Sequence, residues 1–278
     1  MEKRAVFVCA GLGMLATVWL LSVPAAGQGG AAPSGTYTPP RNAFGQPDLQ
    51  GVWQVMNTAA WDIQDHPAQL FPGLPARFAV PAGQGVVEGN EIPYQQWALA
   101  RKKENFEKRE TADPEAQCNM PGVPRITYMP YPFQILQFAN RVVILYEYLH
   151  VVRQIYTDGS AHPKEFIFDL WMGDSRGRWE GDTLVVDLVG FEPQTWFDRA
   201  GNFHSEALHV IERYTRTGSD HMQYEATIED PKVFTRPWKM SMPLYRRQEA
   251  NAQLLEFECY AYAWEAADKL LGSAGRSR

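Results

Sequence analysis

"LHVIERYTRTGSDHMQYEATIED", residues 208–230, decides the fold of this chain. After the turn residues Thr217 to Asp220, Met222, Tyr224, Ala226 and Ile228 alternate with Gln223, Glu225, Thr227 and Glu229. A period of two with one apolar face marks an antiparallel strand that is wet on one side. The half before the turn has two local readings. As a helix, Ala207, Leu208, Ile211 and Tyr214 form a stripe with Ser205 as cap. As a strand, it runs straight into "TGSD" and gains the alternating segment as its partner. The hairpin and the β-branched residues favour the strand. His209, Ile211, Arg213 and Thr215 then share one face, and Val210, Glu212 and Tyr214 the other. Neither face is purely apolar, which is unexpected of a central strand unless one face borders a wet cavity.

The same texture extends in both directions. "FQILQF" (133–138), "RVVILYEY" (141–148), "VVRQIYTDG" (151–159), "EFIFDLWM" (165–172), "GRWEG" (177–181), "DTLVVDLVGF" (182–191), "WKMSMPLYRR" (238–247) and "LLEFECYAY" (254–262) are short and rich in β-formers. Turn signals separate them, and no helix-length segment intervenes, so a parallel βαβ sheet is disfavoured. About ten sequential strands predict an antiparallel calycin- or lipocalin-like barrel, or a strongly curled sheet, that hides its edges by closing. "PDLQGVW" (47–53) carries a Gly-x-Trp resembling the opening of lipocalin-type barrels, where the Trp plugs one end. One helix is predicted near 93–110, with Pro93 at its start and a Glu104–Lys108 pair along it.

Upstream, Lys3 and Arg4 precede the apolar run "AVFVCAGLGMLATVWLLSV" and a small-residue exit, the pattern of a cleaved export signal over residues 1–27. Residues 28–46 read as a Gly/Pro/Ser-rich leader and 47–278 as a single domain. Export places Cys118 and Cys259 in an oxidising compartment, where they can form one bridge once Cys9 has left with the signal. The 278 residues carry a net charge of −6 and no basic block, which argues against nucleic acid and, after signal cleavage, against a membrane surface. Aromatic content of 13% suits pleated surfaces and the lining of a small-molecule pocket.

Acid/base chemistry is read from the histidines, five of which follow residue 149. "WFDRAGNFHSE" (196–206) reads as a rim loop, with His204 and Asp198 the leading catalytic candidates, joined by His209 and Arg213 from the strand beyond. Tyr146, Glu147, His150 and Arg153 lie around a bend between two strands. Odd positions facing inward would bury Glu147 and Arg153 together and require them to pair. With Trp171 and Trp196, these four are the candidate substrate-binding residues. His204 and His209, five apart on a strand, face opposite ways, so a metal site could be assembled only across strands and none is expected. "GRWEGD" reads as a hairpin turn solvated by its acids, a better account of Glu180 and Asp182 than a catalytic pair.

"CNMPGVPR", "YMPYPFQI", "WMGDSRGRWEGDTLVVD", "TWFDRAGNFHSEALHVIERY" and "TIEDPKVFTRPW", five long segments in order, resemble the signature segments of a family of secreted proteins from environmental Gram-negative bacteria. The resemblance implies export and a single domain and assigns no activity. The tail "CYAYAWEAADK" departs from it, since relatives tend to follow the Cys with acidic residues and Asn. No nucleotide fingerprint, P-loop or nucleophile elbow is present, so no cofactor is expected. The expectation is a periplasmic or secreted small-molecule-pocket protein. An acid/base lyase or hydrolase acting on an aromatic or apolar metabolite leads, with a non-catalytic binder or carrier as the alternative.

Overall fold

The computed structural model describes residues 37–69 and 80–260. The expected signal peptide, the leader as far as residue 36 and the end of the tail lie outside the described residues.

Nine strands close into one barrel in sequence order. They are β1 (Gly51–Gln54), β2 (Phe133–Phe138), β3 (Arg141–Tyr146), β4 (Val152–Tyr156), β5 (Asp174–Glu180), β6 (Thr183–Val189), β7 (His209–Arg216), β8 (His221–Glu229) and β9 (Trp238–Arg246). The 208–230 stretch is the β7–β8 hairpin, with Tyr214 opposite Tyr224 and His209 opposite Glu229. An all-antiparallel ring needs an even number of strands, because directions must alternate all the way round. Nine is odd, so one neighbouring pair has to be parallel, and it is β4 with β5. The expected barrel is therefore present, with one detail corrected: eight of its nine strand junctions are antiparallel and one is parallel, so the sheet is mixed.

The parallel junction explains a second correction. Residues 165–172 form no strand; they belong to the crossover between β4 and β5, and only Leu170 makes an isolated bridge, to Phe191. At the junction Arg176 lies 4.8 Å over the Tyr156 ring. Gly177 is required there, since a Cβ would stand 2.7 Å from Ile155 Cγ2 and 2.9 Å from Thr157 Cγ2. The expected strand at 254–262 is also absent over its described part: Phe257 alone bridges to Tyr148. Instead, residues 252–260 form a strap. Phe257 meets Tyr131 in a tilted contact at 4.4 Å and stacks on Tyr148 at 5.4 Å, and the predicted Cys118–Cys259 disulfide is formed.

β1 supplies the barrel's end. Gly51, at φ +136°, leaves space that a Cβ would take from the Arg246 guanidinium. That guanidinium covers the Trp53 ring at 5.9 Å, and Trp53 donates to the Leu49 carbonyl at 2.9 Å. The predicted helix is present as α1 (Gln96–Glu107) and a short α2 (Arg109–Ala112), with the Glu104–Lys108 pair at 2.8 Å. It starts three residues after Pro93, whose carbonyl accepts from Thr235 instead.

Candidate functional site

The barrel interior is the first place to look for a pocket, and it is occupied by side chains. Val186, Val210, Met222, Tyr224, Ala226 and Ile228 keep no accessible surface. Among them sits one ion pair. Arg153 reaches Glu212 through Nη1 at 3.3 Å and Nη2 at 2.5 Å and donates from Nε to Ser175 Oγ at 3.1 Å. Tyr214 and Tyr224 both donate to Glu212 Oε1, at 3.1 and 2.8 Å. Burial first, and Glu212 next, push both phenols well above their ordinary pKa. Arg153 faces inward because it pairs across the ladder with Ile144, an inward residue of β3. Even positions of β3 point in, contrary to the odd-position expectation, and Glu147 therefore lies outside this network. Its Oε2 accepts from Leu255 N at 2.8 Å. The face of β7 expected to border a wet cavity packs instead into this polar core, where Glu212 and Tyr214 are fully buried.

The connection from β6 to β7 carries the rim residues. His204 is buried, with Nε2 2.7 Å from Thr195 Oγ1 and Nδ1 2.8 Å from the Ser205 carbonyl oxygen. Burial lowers its pKa, favouring the neutral ring. Asp198 is fully buried and folds the loop, accepting from Ile63 N at 2.9 Å, Asn202 N at 3.1 Å and Asn202 Nδ2 at 2.6 Å. Desolvation, followed by the nearby Asp62 charge, raises its pKa to about 7.

Between this connection and the helical segment lies a groove of about 310 Å³. Trp196 and Phe203, joined by a β-bridge, and Gln194 form one wall; Arg101 and Asn105 of α1, with Gln117 and Asn119, form the other. Gln194 and Gln117 donate through Nε2 to Glu192 and to the Thr111 carbonyl, and among the described residues their amide oxygens accept no hydrogen bond. The Arg101 guanidinium is half exposed and only loosely paired, 4.0 Å from Glu104. The volume suits a small metabolite. None of the ten lining residues is a His, Asp, Glu, Lys or Cys.

On the outer face, the odd side of β7 joins a chain of imidazoles and carboxylates. His209 Nδ1 lies 3.0 Å from Glu229 Oε2, and its Nε2 lies 3.2 Å from Asp187 Oδ1. His162, brought back by the β4–β5 crossover, places Nε2 2.9 Å from the same Asp187 oxygen and Nδ1 2.6 Å from Asp174 Oδ1. Arg176 holds both oxygens of Asp174, at 2.7 and 2.9 Å.

The structure thus distributes the predicted site residues over several places. Arg153 stands in the core, with Tyr146 buried beside it; Trp196 lines the groove, and His204 and Asp198 support the loop behind it. His209 and Arg213 are on the outer face, where Arg213 pairs with Glu180 at 3.0 Å. Glu147 and His150 meet the strap, His150 with Glu258 at 2.9 Å. Trp171 is partly exposed in the crossover. The residues missed from sequence are the groove amides and Arg101, together with His162, Asp174, Asp187 and Glu229. The outward parity of His209 and Glu229 was a usable signal; the return of His162 was not. Comparison with protein-family models finds no match, and comparison with curated protein sequences finds none either.

Proposed function

We propose that the chain is an exported binding protein whose ligand site is the rim groove. The observation that carries this reading is the lining: amides, one guanidinium and two aromatic rings, with no acid or base to move a proton. Such walls recognise a small, polar, ring-bearing molecule. The aromatic faces cover its apolar side, the amide oxygens accept from hydroxyl or N–H groups, and Arg101 accommodates an acceptor or a carboxylate. A binding role takes precedence over the lyase or hydrolase because His204 and Asp198 are buried and spend their hydrogen bonds holding the fold, His204 on Thr195 and Ser205 and Asp198 on Asn202 and Ile63. Export is supported by the five secretory-family segments, by the Cys118–Cys259 bridge and by the N-terminal pattern. No helix among the described residues is long and apolar enough to cross a membrane.

The test is a melting-temperature screen with neutral monosaccharides, phenolic acids and fatty acids, on the wild type and on Ala112→Trp. Ala112 is an exposed groove residue, so the substitution fills the groove without touching the core. Ring compounds are expected to raise the wild-type melting temperature and to leave the variant unmoved. A fatty-acid response equal in both proteins would refute the assignment.

A further inference from the structure

The walls of the rim groove suit one kind of ring better than another. Gln194 and Gln117 offer amide oxygens, and among the described residues the Asn119 amide and the Trp196 indole N–H make no hydrogen bond. Arg101 adds a guanidinium whose ion pair with Glu104 is as long as 4.0 Å. Donors and acceptors are therefore mixed around the Trp196 and Phe203 rings. A phenolic acid carries few polar groups and would leave most of these side chains unanswered. A pyranose carries hydroxyls all round its rim, each with one donor and two acceptor sites, and keeps apolar C–H faces for aromatic rings.

The aromatic surface continues beyond the groove. Trp97, in the first turn of α1, has its ring 6.0 Å from that of Phe203, edge-on at 65°, and is 56% exposed. Folding usually covers most of a tryptophan. Trp97 and Arg101 are four residues apart, so they share one face of α1 and lie about 6 Å apart along its axis. Charge narrows the class further. Arg101 is the single charged residue of the lining, and the chain as a whole carries −6. A glycan with an anionic group on every ring would gain one cationic contact and meet net repulsion.

We propose, resting on the rim-groove reading, that the ligand is a neutral oligosaccharide of at least two pyranose units. One unit sits against Trp196, Phe203 and the amides; the next stacks on Trp97, with Arg101 donating to hydroxyls between them. Calorimetric titration of the full chain with glucose, with cello-, malto- and xylo-oligosaccharides of two to six units, and with oligogalacturonate tests this. At least one neutral series is expected to bind more tightly as it grows from one unit to two or three, and oligogalacturonate to bind more weakly. Trp97→Ala should abolish that gain, lowering affinity for the longer chains about 3- to 10-fold, with Trp97→Phe in between. A merely structural role for Trp97 would leave the dependence on length in place. Ala112→Trp should remove binding at every length. Affinity independent of length, a gain retained in Trp97→Ala, or tighter binding of oligogalacturonate would overturn the proposal. If no saccharide binds, the glycan assignment fails, and a phenolic acid that binds and is blocked by Ala112→Trp then leaves the rim groove standing. Saccharide binding that survives Ala112→Trp would remove the groove reading itself.

Discussion

At the scale of single residues, the most consequential contact is Arg153–Glu212, an ion pair inside a barrel whose other interior groups are largely apolar. Removing one partner of such a pair strands a charge and destabilises by about 3–5 kcal/mol, while replacing both with apolar residues of similar volume is far milder. Arg153→Met should therefore lower the urea midpoint more than Arg153→Met with Glu212→Leu. Strict additivity of the two single changes would contradict that account. Asp198 makes a different prediction. Its folded-state pKa of about 7 exceeds the ordinary carboxylate value of about 3.9, so the folded chain retains the proton to higher pH than the unfolded chain. Its contribution to stability is fully present below about pH 4 and is lost as pH rises through about 7. The groups around it are Asp62, Lys102, Tyr94, Asn202, Arg125 and Tyr128. Asp198→Asn should flatten the fall in stability between about pH 4 and pH 7, measured by chemical denaturation at each pH. Identical slopes would remove the carboxylate from the account.

At the scale of elements, what could be read from sequence followed local rules. The β7–β8 hairpin was legible because its period and its turn agree, but which face of β7 points inward was not, since both faces mix polar and apolar residues. The face of β3 was not. It depends on the turn at 147–151, where Leu149 and His150 take φ of 53° and 50°, so a parity counted straight through the bend fails. Residues 165–172 misled because apolar β-formers also make crossovers, here with Ile167 98% exposed and Phe168 70% exposed. The choice of Glu212 as partner for Arg153, 59 positions away, depends on barrel closure and leaves no local trace. The disulfide was legible from compartment and count. It joins residues 141 apart, and loop-closure entropy gives such a bridge about 3–5 kcal/mol. Cys118→Ser with Cys259→Ser should lower the melting temperature by several degrees and expose the 252–260 strap to limited proteolysis. A strap equally protected in both proteins would show that Phe257 and the Glu147 contact hold it without the bridge.

For the whole molecule, the account rests on where a ligand can go. A closed barrel suggests a container, but this one is filled by Tyr214, Tyr224 and the Arg153–Glu212 pair, and its recessed surface lies at the rim. The groove walls are the β6–β7 connection and the helical segment, both outside the sheet, and neither shows the periodicity that reveals a strand. That is why Trp196 was the only groove residue among the sequence candidates. The most direct measurement is ¹H–¹⁵N NMR of side-chain signals during titration with the best ring compound from the melting screen. The account predicts shifts at the amides of Asn105, Asn119 and Gln194 and at the Trp196 indole, with the Arg153 Nε–H signal unmoved. A shift at Arg153 Nε–H with silent groove amides would place the ligand inside the barrel and contradict it.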